Sequence, residues 1–425
     1  VWRVTAFAPG RHRASEHGSV ELVADVVIVG AGAGGGALAA ALAERGLRVV
    51  VLEEGRHWTP GEFRTESVFA LKHLYADRGL RAARGNVPMP LPGGRGVGGS
   101  TLVNSAICFR TPDTIRGQWR DVGCHLYGDG YDALLDRVWT TLGVMVNPPS
   151  VQRNNNLVFA RGAESLGLRG AFLERSAPGC AGCGVCQYGC PSGGKSSVDR
   201  TFIAEAIDTG NAAVWADCRI RRAVTAGGRV VAVEGDVLDP ETQQVVGTVT
   251  ARADRFVTSM GPIQSPLFLL ANGLAENTHC GRHLVVHPTG NMLATMTEEI
   301  RPWSGVTQGY YVDCWEQGFL LQTYTVTPDQ YFLVLQTPTA AESLGIMADL
   351  AKVASAGALV HDEDSEGRVQ WTPLGPDLRY RLGEVDKRRI LAGLRLCAEV
   401  FFAAGATSVY AGKAGGGVMR TLRDV

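Results

Sequence analysis

Asp25-Val-Val-Ile-Val-Gly30-Ala-Gly32-Ala-Gly-Gly35 is the stretch that decides the fold. Asp25 to Gly30 reads as a buried parallel strand, because it is β-branched, uncharged after its first residue and closed by glycine. Ala37 to Arg45 has strong helix propensity, and Gly46 stops it. Arg48-Val-Val-Val-Leu-Glu53 is a second strand ending in an acid. Strand, glycine turn, helix, strand and acid thus arrive in the order of a dinucleotide-binding fingerprint. Gly30 allows the tight turn, Gly32 lets backbone approach a pyrophosphate, and Gly35 lets helix and sheet pack closely. The helix N-terminus offers free N–H groups and the positive end of a dipole. Glu53 is placed to accept hydrogen bonds from ribose hydroxyls. This motif leaves open whether the dinucleotide is FAD or NAD.

A second glycine loop, Gly93-Gly-Arg-Gly-Val-Gly98-Gly99-Ser100-Thr101-Leu-Val-Asn104, is too glycine-rich for a helix or a strand. Its backbone can lie against a large flat group. With the first motif it makes the chain resemble the glucose–methanol–choline (GMC) oxidoreductases, nearest in wording to cholesterol oxidases and long-chain alcohol oxidases. The resemblance implies that this loop runs along the pyrophosphate and isoalloxazine of FAD. Gly98, Gly99, Ser100 and Asn104 take those roles, with Asn104 near the flavin. A plain surface loop with Asn104 as a helix cap is the competing reading. Ala213-Val-Trp-Ala-Asp-Cys-Arg-Ile220 resembles the family strand whose backbone meets the adenine. Phe256-Val-Thr-Ser-Met-Gly261-Pro-Ile-Gln-Ser265-Pro266 resembles the segment that returns to the cofactor before a helix, which adds Gly261 and Ser265 to the site. The likeness runs over most of residues 23–290 and closes on Gly281-Arg-His-Leu-Val-Val-His287-Pro, where His287 is expected to be a buried, satisfied side chain.

The expected fold is α/β: a discontinuous Rossmann-type FAD-binding domain over residues 20–110 and 200–290, joined to an α+β antiparallel-sheet substrate domain over 291–410. Residues 111–199 form a connecting segment. Asn291 to Met296, Gly318 to Val326 and Tyr331 to Gln336 read as antiparallel strands, and Arg368 to Leu382 as further short strands. Ala340 to Ala358 reads as helix, and Val385 to Ala404 as an amphipathic helix stopped by Gly405. Trp303, Tyr310, Tyr311, Trp315 and Phe319 either line a substrate pocket or pack within the sheet, and packing is the expectation for most of them.

Cys180-x2-Cys183-x2-Cys186-x3-Cys190-Pro191 holds four of the ten cysteines. The run has the wording of a bacterial ferredoxin, although the fourth cysteine of that pattern normally serves a second cluster for which no second run exists here. Three readings stay open: an iron–sulfur centre, a structural disulfide or bare thiols, and zinc. Within the same stretch, Gly189-Cys-Pro-Ser-Gly-Gly194-Lys195-Ser196 satisfies the P-loop pattern. A working P-loop must follow a buried strand, and no β-branched run precedes Gly189, so it is expected to be a decoy.

Composition frames these readings. The chain has 425 residues, 45% hydrophobic and 20% charged, with 54 glycines and a formal net charge of -1. A sizeable core is expected and nucleic-acid binding is not. Val26 to Ala43 is uncharged and long enough to span a bilayer, but its glycine content and two-part character favour strand–turn–helix over a membrane span. The start lacks a secretory h-region, which makes a cytoplasmic setting the default.

The resemblance implies oxidation of a CH–OH group on a sizeable, rather apolar alcohol. Hydride would pass to flavin N5 and electrons onward to oxygen or a partner carrier. The family usually supplies the base as a histidine, with a histidine or asparagine beside it, near the C-terminus. Here the last histidine is His361, and neither that pair nor the family's final strand is found. A missing segment, a second chain that completes the site, and loss of the chemistry are the three explanations, the first being the expectation. A non-catalytic flavin-binding or electron-transfer subunit of a multichain complex is the alternative function, with an electron-acceptor protein as its partner. An NAD-dependent dehydrogenase is weaker, because it leaves the second glycine loop unexplained.

Overall fold

Val26–Val29 and Val49–Leu52 pair in parallel, and each carries apolar residues to both faces of one sheet. In the computed structural model, which describes residues 7–124, 128, 130–275, 279–335, 339–411 and 417–425 and the side chains of all these except 332–334, that sheet has five parallel strands. Their order is Gly10–Arg13, Ala212–Ala216, Val49–Leu52, Val26–Val29, Arg255–Thr258. Alternation sorts the side chains. Val26, Ile28, Val49, Val51 and Val214 pack under the helices Ala33–Ala43 and Phe202–Asp208. Val27, Val29, Val50, Leu52 and Trp215 pack against a second sheet, formed by Cys218–Ala226, Arg229–Leu238, Val245–Arg252 and Val20–Val23. The result is three layers: helices, parallel sheet, second sheet.

The uncharged stretch Val26 to Ala43 is therefore a buried strand and a helix joined by a glycine turn. Among the described residues no helix is long and apolar enough to cross a membrane.

A six-stranded antiparallel sheet forms the other half, in the order Ser408–Ala411, Thr289–Thr295, Val353–Val360, Phe319–Thr323, Tyr310–Cys314, Gly170–Phe172. The helix Glu384–Ala403 covers it, packed with the helix Pro149–Ser165. A small sheet of Arg282–Leu284, Glu366–Thr372 and Gly375–Arg381 stands beside it.

Several expectations need correction. The helix beginning at Ala340 ends at Ala348, and Val353–Val360 is a central strand. Alanine favours helix intrinsically, but Ala354, Ala356 and Ala358 are small because the helix Glu384–Ala403 lies on them: a Cβ on Gly393 would stand 2.5 Å from the Cβ of Ala358. Tertiary packing overrides propensity there. Conversely, Tyr331 begins no strand. Pro328–Val334 is a helix that starts with proline after Thr327, a start signal the apolar run obscured. Residues 336–338 of that expected strand lie outside the described residues, as do 412–416 of the C-terminal tail. The expected strand Ala213 to Ile220 is broken at Asp217, whose φ of +65° turns the chain from one sheet to the next. His287 is exposed rather than buried, and it is its main-chain N–H that donates to Asp362, at 2.7 Å.

Candidate functional site

The first glycine turn sits at the end of the strand Val26–Val29, where the helix Ala33–Ala43 starts. Gly30 has φ +105° and lies so close to the neighbouring strand end that a Cβ there would be 2.4 Å from the carbonyl oxygen of Ser259. A Cβ on Gly35 would fall 2.0 Å from the carbonyl oxygen of Gly30, so only glycine lets the helix approach. Gly32 is the helix N-cap and no side chain caps it; Ala33 and Gly34 are exposed. The first turn of N–H groups therefore faces outward under the positive end of the helix dipole, which suits a diphosphate.

The second glycine loop joins this turn directly. The N–H of Gly98 donates to the carbonyl of Ala31 at 2.9 Å, and a Cβ on Gly99 would lie 2.8 Å from Cα of Gly32. Gly98 and Gly99 take φ of +117° and +53°, and Gly99–Leu102 forms a single 3-10 turn. Ser100 is exposed, and its hydroxyl accepts from the N–H of Gly94 at 2.9 Å. Asn104 is also exposed and caps no helix: its Oδ1 accepts from the N–H of Ala106 at 3.1 Å.

Glu53 is buried and ties the two loops together. One carboxylate oxygen accepts from Ala31 N–H at 3.0 Å, and the other from Gly55 N–H at 3.0 Å and Gly96 N–H at 3.2 Å. An ionised carboxylate has about four acceptor positions. With three filled by amides, one remains. Burial pushes the carboxyl up to about 7, although the amide hydrogen bonds pull it down.

Gly261 begins the helix Gly261–Ala271 with φ +82°. The Ser265 hydroxyl turns back into the preceding bend, accepting from Thr258 Oγ1 at 3.0 Å and Met260 N–H at 3.1 Å. From this segment it is Ser259, which the sequence reading passed over, that reaches the first turn: a Cβ on Gly34 would stand 3.2 Å from its Oγ.

The cysteine run lies on the far side of the second glycine loop. Cys180, Cys183, Cys186 and Cys190 line one cavity with Arg175 and Lys195. No disulfide joins any described cysteine, and among the described residues no group of three or more His, Cys, Asp or Glu side chains is arranged to hold a metal ion. Of the three open readings, the iron–sulfur, zinc and disulfide ones find no support, and the cysteines are free thiols. Two of the sulfurs are instead held by Arg175, whose Nη2 donates to Cys186 Sγ at 3.2 Å and Nη1 to Cys180 Sγ at 3.6 Å. Arg175 is fully buried; its Nε donates to the Ser105 carbonyl at 2.9 Å and its Nη1 to Asn147 Oδ1 at 2.8 Å. No sequence signal marks it.

Lys195 explains why the P-loop wording carries no phosphate site. Its Nζ is buried and donates to the carbonyls of Leu102 at 2.7 Å, Asn104 at 3.0 Å and Cys186 at 3.1 Å, so it pins the cysteine loop to the second glycine loop. Burial holds it down to about 8, while Cys186 and Cys190 pull it upward. Of the aromatic residues in the antiparallel half, Tyr310 and Phe319 are core packing. Trp303 packs against the apolar cluster that includes Leu293 and Tyr331. Tyr311 and Trp315 meet the ring of Phe109, with centroids 5.1 and 6.4 Å away.

Comparison with known proteins gives the family and the fold. A family profile described as GMC oxidoreductase matches residues 71–289, and one described as an NAD(P)-binding Rossmann-like domain matches residues 28–88. An uncharacterised GMC-type oxidoreductase of Mycobacterium tuberculosis is 35% identical over 95% of this chain, which spans 63% of that protein's length. A long-chain-alcohol oxidase of Arabidopsis thaliana is 27% identical over 93% of the chain, which spans 55% of its length. Among solved structures, formate oxidase of Aspergillus oryzae superposes with a TM-score of 0.65 at 13% identity, over 93% of this chain and 84% of that one. Pyridoxine 4-oxidase from Mesorbium loti gives a TM-score of 0.61 at 18% identity, over 88% and 80%. At such identities the two structures speak for the fold alone. The family profile covers more than half of the sequence, and the chain belongs to the GMC oxidoreductase family.

Proposed function

We propose that this chain carries the cofactor-binding part of an FAD-dependent oxidoreductase acting on the CH–OH group of a sizeable, rather apolar alcohol. The observation that supports it most is the junction of the two glycine loops, Gly98 N–H to the Ala31 carbonyl, in front of an uncapped helix N-terminus. No side chain caps that helix, Ala33 and Gly34 are exposed at its start, and Glu53 keeps one acceptor position, so the residues fit FAD. Gly32, Gly35 and Glu53 would hold its ADP half, and Gly98, Gly99, Ser100 and Asn104 the flavin side, with Gly261 and Ser265 shaping the returning bend. When bound, FAD supplies a hydride acceptor at flavin N5. The relatives named long-chain-alcohol oxidase support the substrate class.

The domain division follows the same reading. Residues 20–110 and 200–290 form the FAD domain, 111–199 connect, and 291–410 form the substrate sheet. Three strands modify this division: Gly10–Arg13 joins the parallel sheet, Gly170–Phe172 the antiparallel one, and Arg282–Leu284 pairs with Glu366–Thr372 outside the FAD half.

An absorbance spectrum of the purified protein tests the proposal. Flavin peaks that bleach on anaerobic addition of a long-chain primary alcohol are expected, with electrons then passing to oxygen or to a dye. Flavin peaks that no alcohol bleaches point to a flavin-carrying subunit without its own oxidation step. A colourless protein that takes up no added FAD ends both readings.

A further inference from the structure

The cysteine run lines a small crevice open to solvent, shared by four cysteines and the two cationic side chains of Arg175 and Lys195. Nothing in the FAD reading uses these sulfurs. Cys183 is exposed, while Cys180, Cys186 and Cys190 each keep part of their surface at the solvent. Arg175 sets two sulfurs apart from the others. Its planar guanidinium is fixed by the Ser105 carbonyl and Asn147, and two of its three remaining N–H groups donate to Cys186 and Cys180. A buried cation with sulfur atoms as hydrogen-bond acceptors favours the thiolate over the thiol. Burial of Cys186 opposes that charge, but Arg175 and Lys195 outweigh it and hold its thiol below the ordinary range. For Cys108, half-buried nearby, burial prevails and pushes the thiol up.

We propose that Cys186 is a site of oxidation by hydroperoxides, and that Cys180, brought to the same guanidinium, closes the product to a disulfide. The Cys186 thiolate attacks one oxygen of hydrogen peroxide. The O–O bond breaks, an S–O bond forms, and the departing hydroxide takes up a proton to become water, leaving a sulfenic acid. The Cys180 thiol then gives up its proton as its sulfur attacks that of Cys186; the S–O bond breaks, the S–S bond forms, and the departing hydroxide takes the proton to leave as water. Two thiols and one peroxide become one disulfide and two waters, with two electrons moving from sulfur to oxygen. The oxidant is added from outside, so the proposal stands or falls independently of the cofactor reading.

The test uses the full chain, reduced and freed of reductant, then exposed to a few equivalents of hydrogen peroxide. Unreacted thiols are alkylated and the peptides mapped without reduction. A Cys180–Cys186 cross-linked peptide is expected, with Cys186 consumed at least tenfold faster than Cys108 and Cys124. In Cys180→Ser, a sulfenic acid at Cys186 becomes trappable by a dimedone reagent. Should that variant fail to fold, the relative rates in the unaltered chain decide by themselves. Three results overturn the proposal: equal rates at Cys108 and Cys186, a cross-link that omits Cys186, or stoichiometric zinc or iron on the purified chain that blocks alkylation of these cysteines.

Discussion

Two glycine-rich loops in this chain carry nucleotide-site wording, and the structure gives them opposite tasks. At Gly30–Gly35 the glycines follow a buried strand, and the turn opens the N-terminus of an eleven-residue helix to its surroundings. At Gly189–Ser196 no strand precedes and no helix follows directly; the lysine points inward to three main-chain carbonyls. The lesson is physical. A phosphate loop works by aiming several N–H groups at one point, and only a strand-to-helix turn imposes that aim. Letters in the right order, without the strand, leave a lysine to satisfy backbone instead.

Substitutions can break this contrast. The largest effect is expected for Gly35→Ala, because its Cβ would meet the Gly30 carbonyl at 2.0 Å and the helix must move off the sheet. Destabilisation of about 3 kcal/mol and loss of FAD uptake are expected, read by urea denaturation and by flavin absorbance. A folded variant with normal flavin content would show that the close approach is unnecessary.

Glu53 provides a pH test of nearly the same size. Its carboxyl is raised from 4.5 to about 7 in the folded chain, so between these values the folded state binds more protons than the unfolded one. The stabilising contribution is complete below about 4.5 and lost as pH rises through 7, on the order of 3 kcal/mol. Urea midpoints of the cofactor-free chain across that window should fall with this component, and Glu53→Gln should flatten it. Identical pH profiles for the two proteins would remove the assignment.

Lys195→Met strips three carbonyls of their shared donor, and a loss of about 2 kcal/mol is expected, with weaker FAD retention because Leu102 and Asn104 belong to the second glycine loop. Neither the variant nor the parent should bind ATP, checked by calorimetry. The smallest effect is expected at Ser196, the residue that a P-loop would place on magnesium. Ser196→Ala should change stability by less than about 0.5 kcal/mol and leave flavin content unaltered. A large loss of nucleotide binding there would reverse the contrast with which this section began.

The nucleotide half was the more legible in the sequence. Val26 to Val29 and Val49 to Leu52 announced themselves because strands buried on both faces must be apolar throughout. Gly30, Gly32 and Gly35 followed from the geometry any strand-to-helix turn demands. The antiparallel half was harder to read. Val353–Val360 was hidden by its alanines, which are there to admit a helix that lies about thirty residues further along the chain. Ser259 stood inside the quoted returning segment but was not singled out from it, and Arg175 gave no sign, since it stands in no local pattern.

By itself the sequence determined the local conformations that covalent geometry and side-chain size dictate: the Rossmann turn, the acid after the second strand, the helix that Gly405 stops. Tertiary structure alone decided what converges. That Gly98 meets Ala31, that Glu53 spends most of its acceptors on backbone amides, and that one buried guanidinium holds Cys180 and Cys186 are all contacts between distant residues. Such contacts depend on how sheets and loops stack in space, and neighbouring residues along the chain carry no record of that stacking.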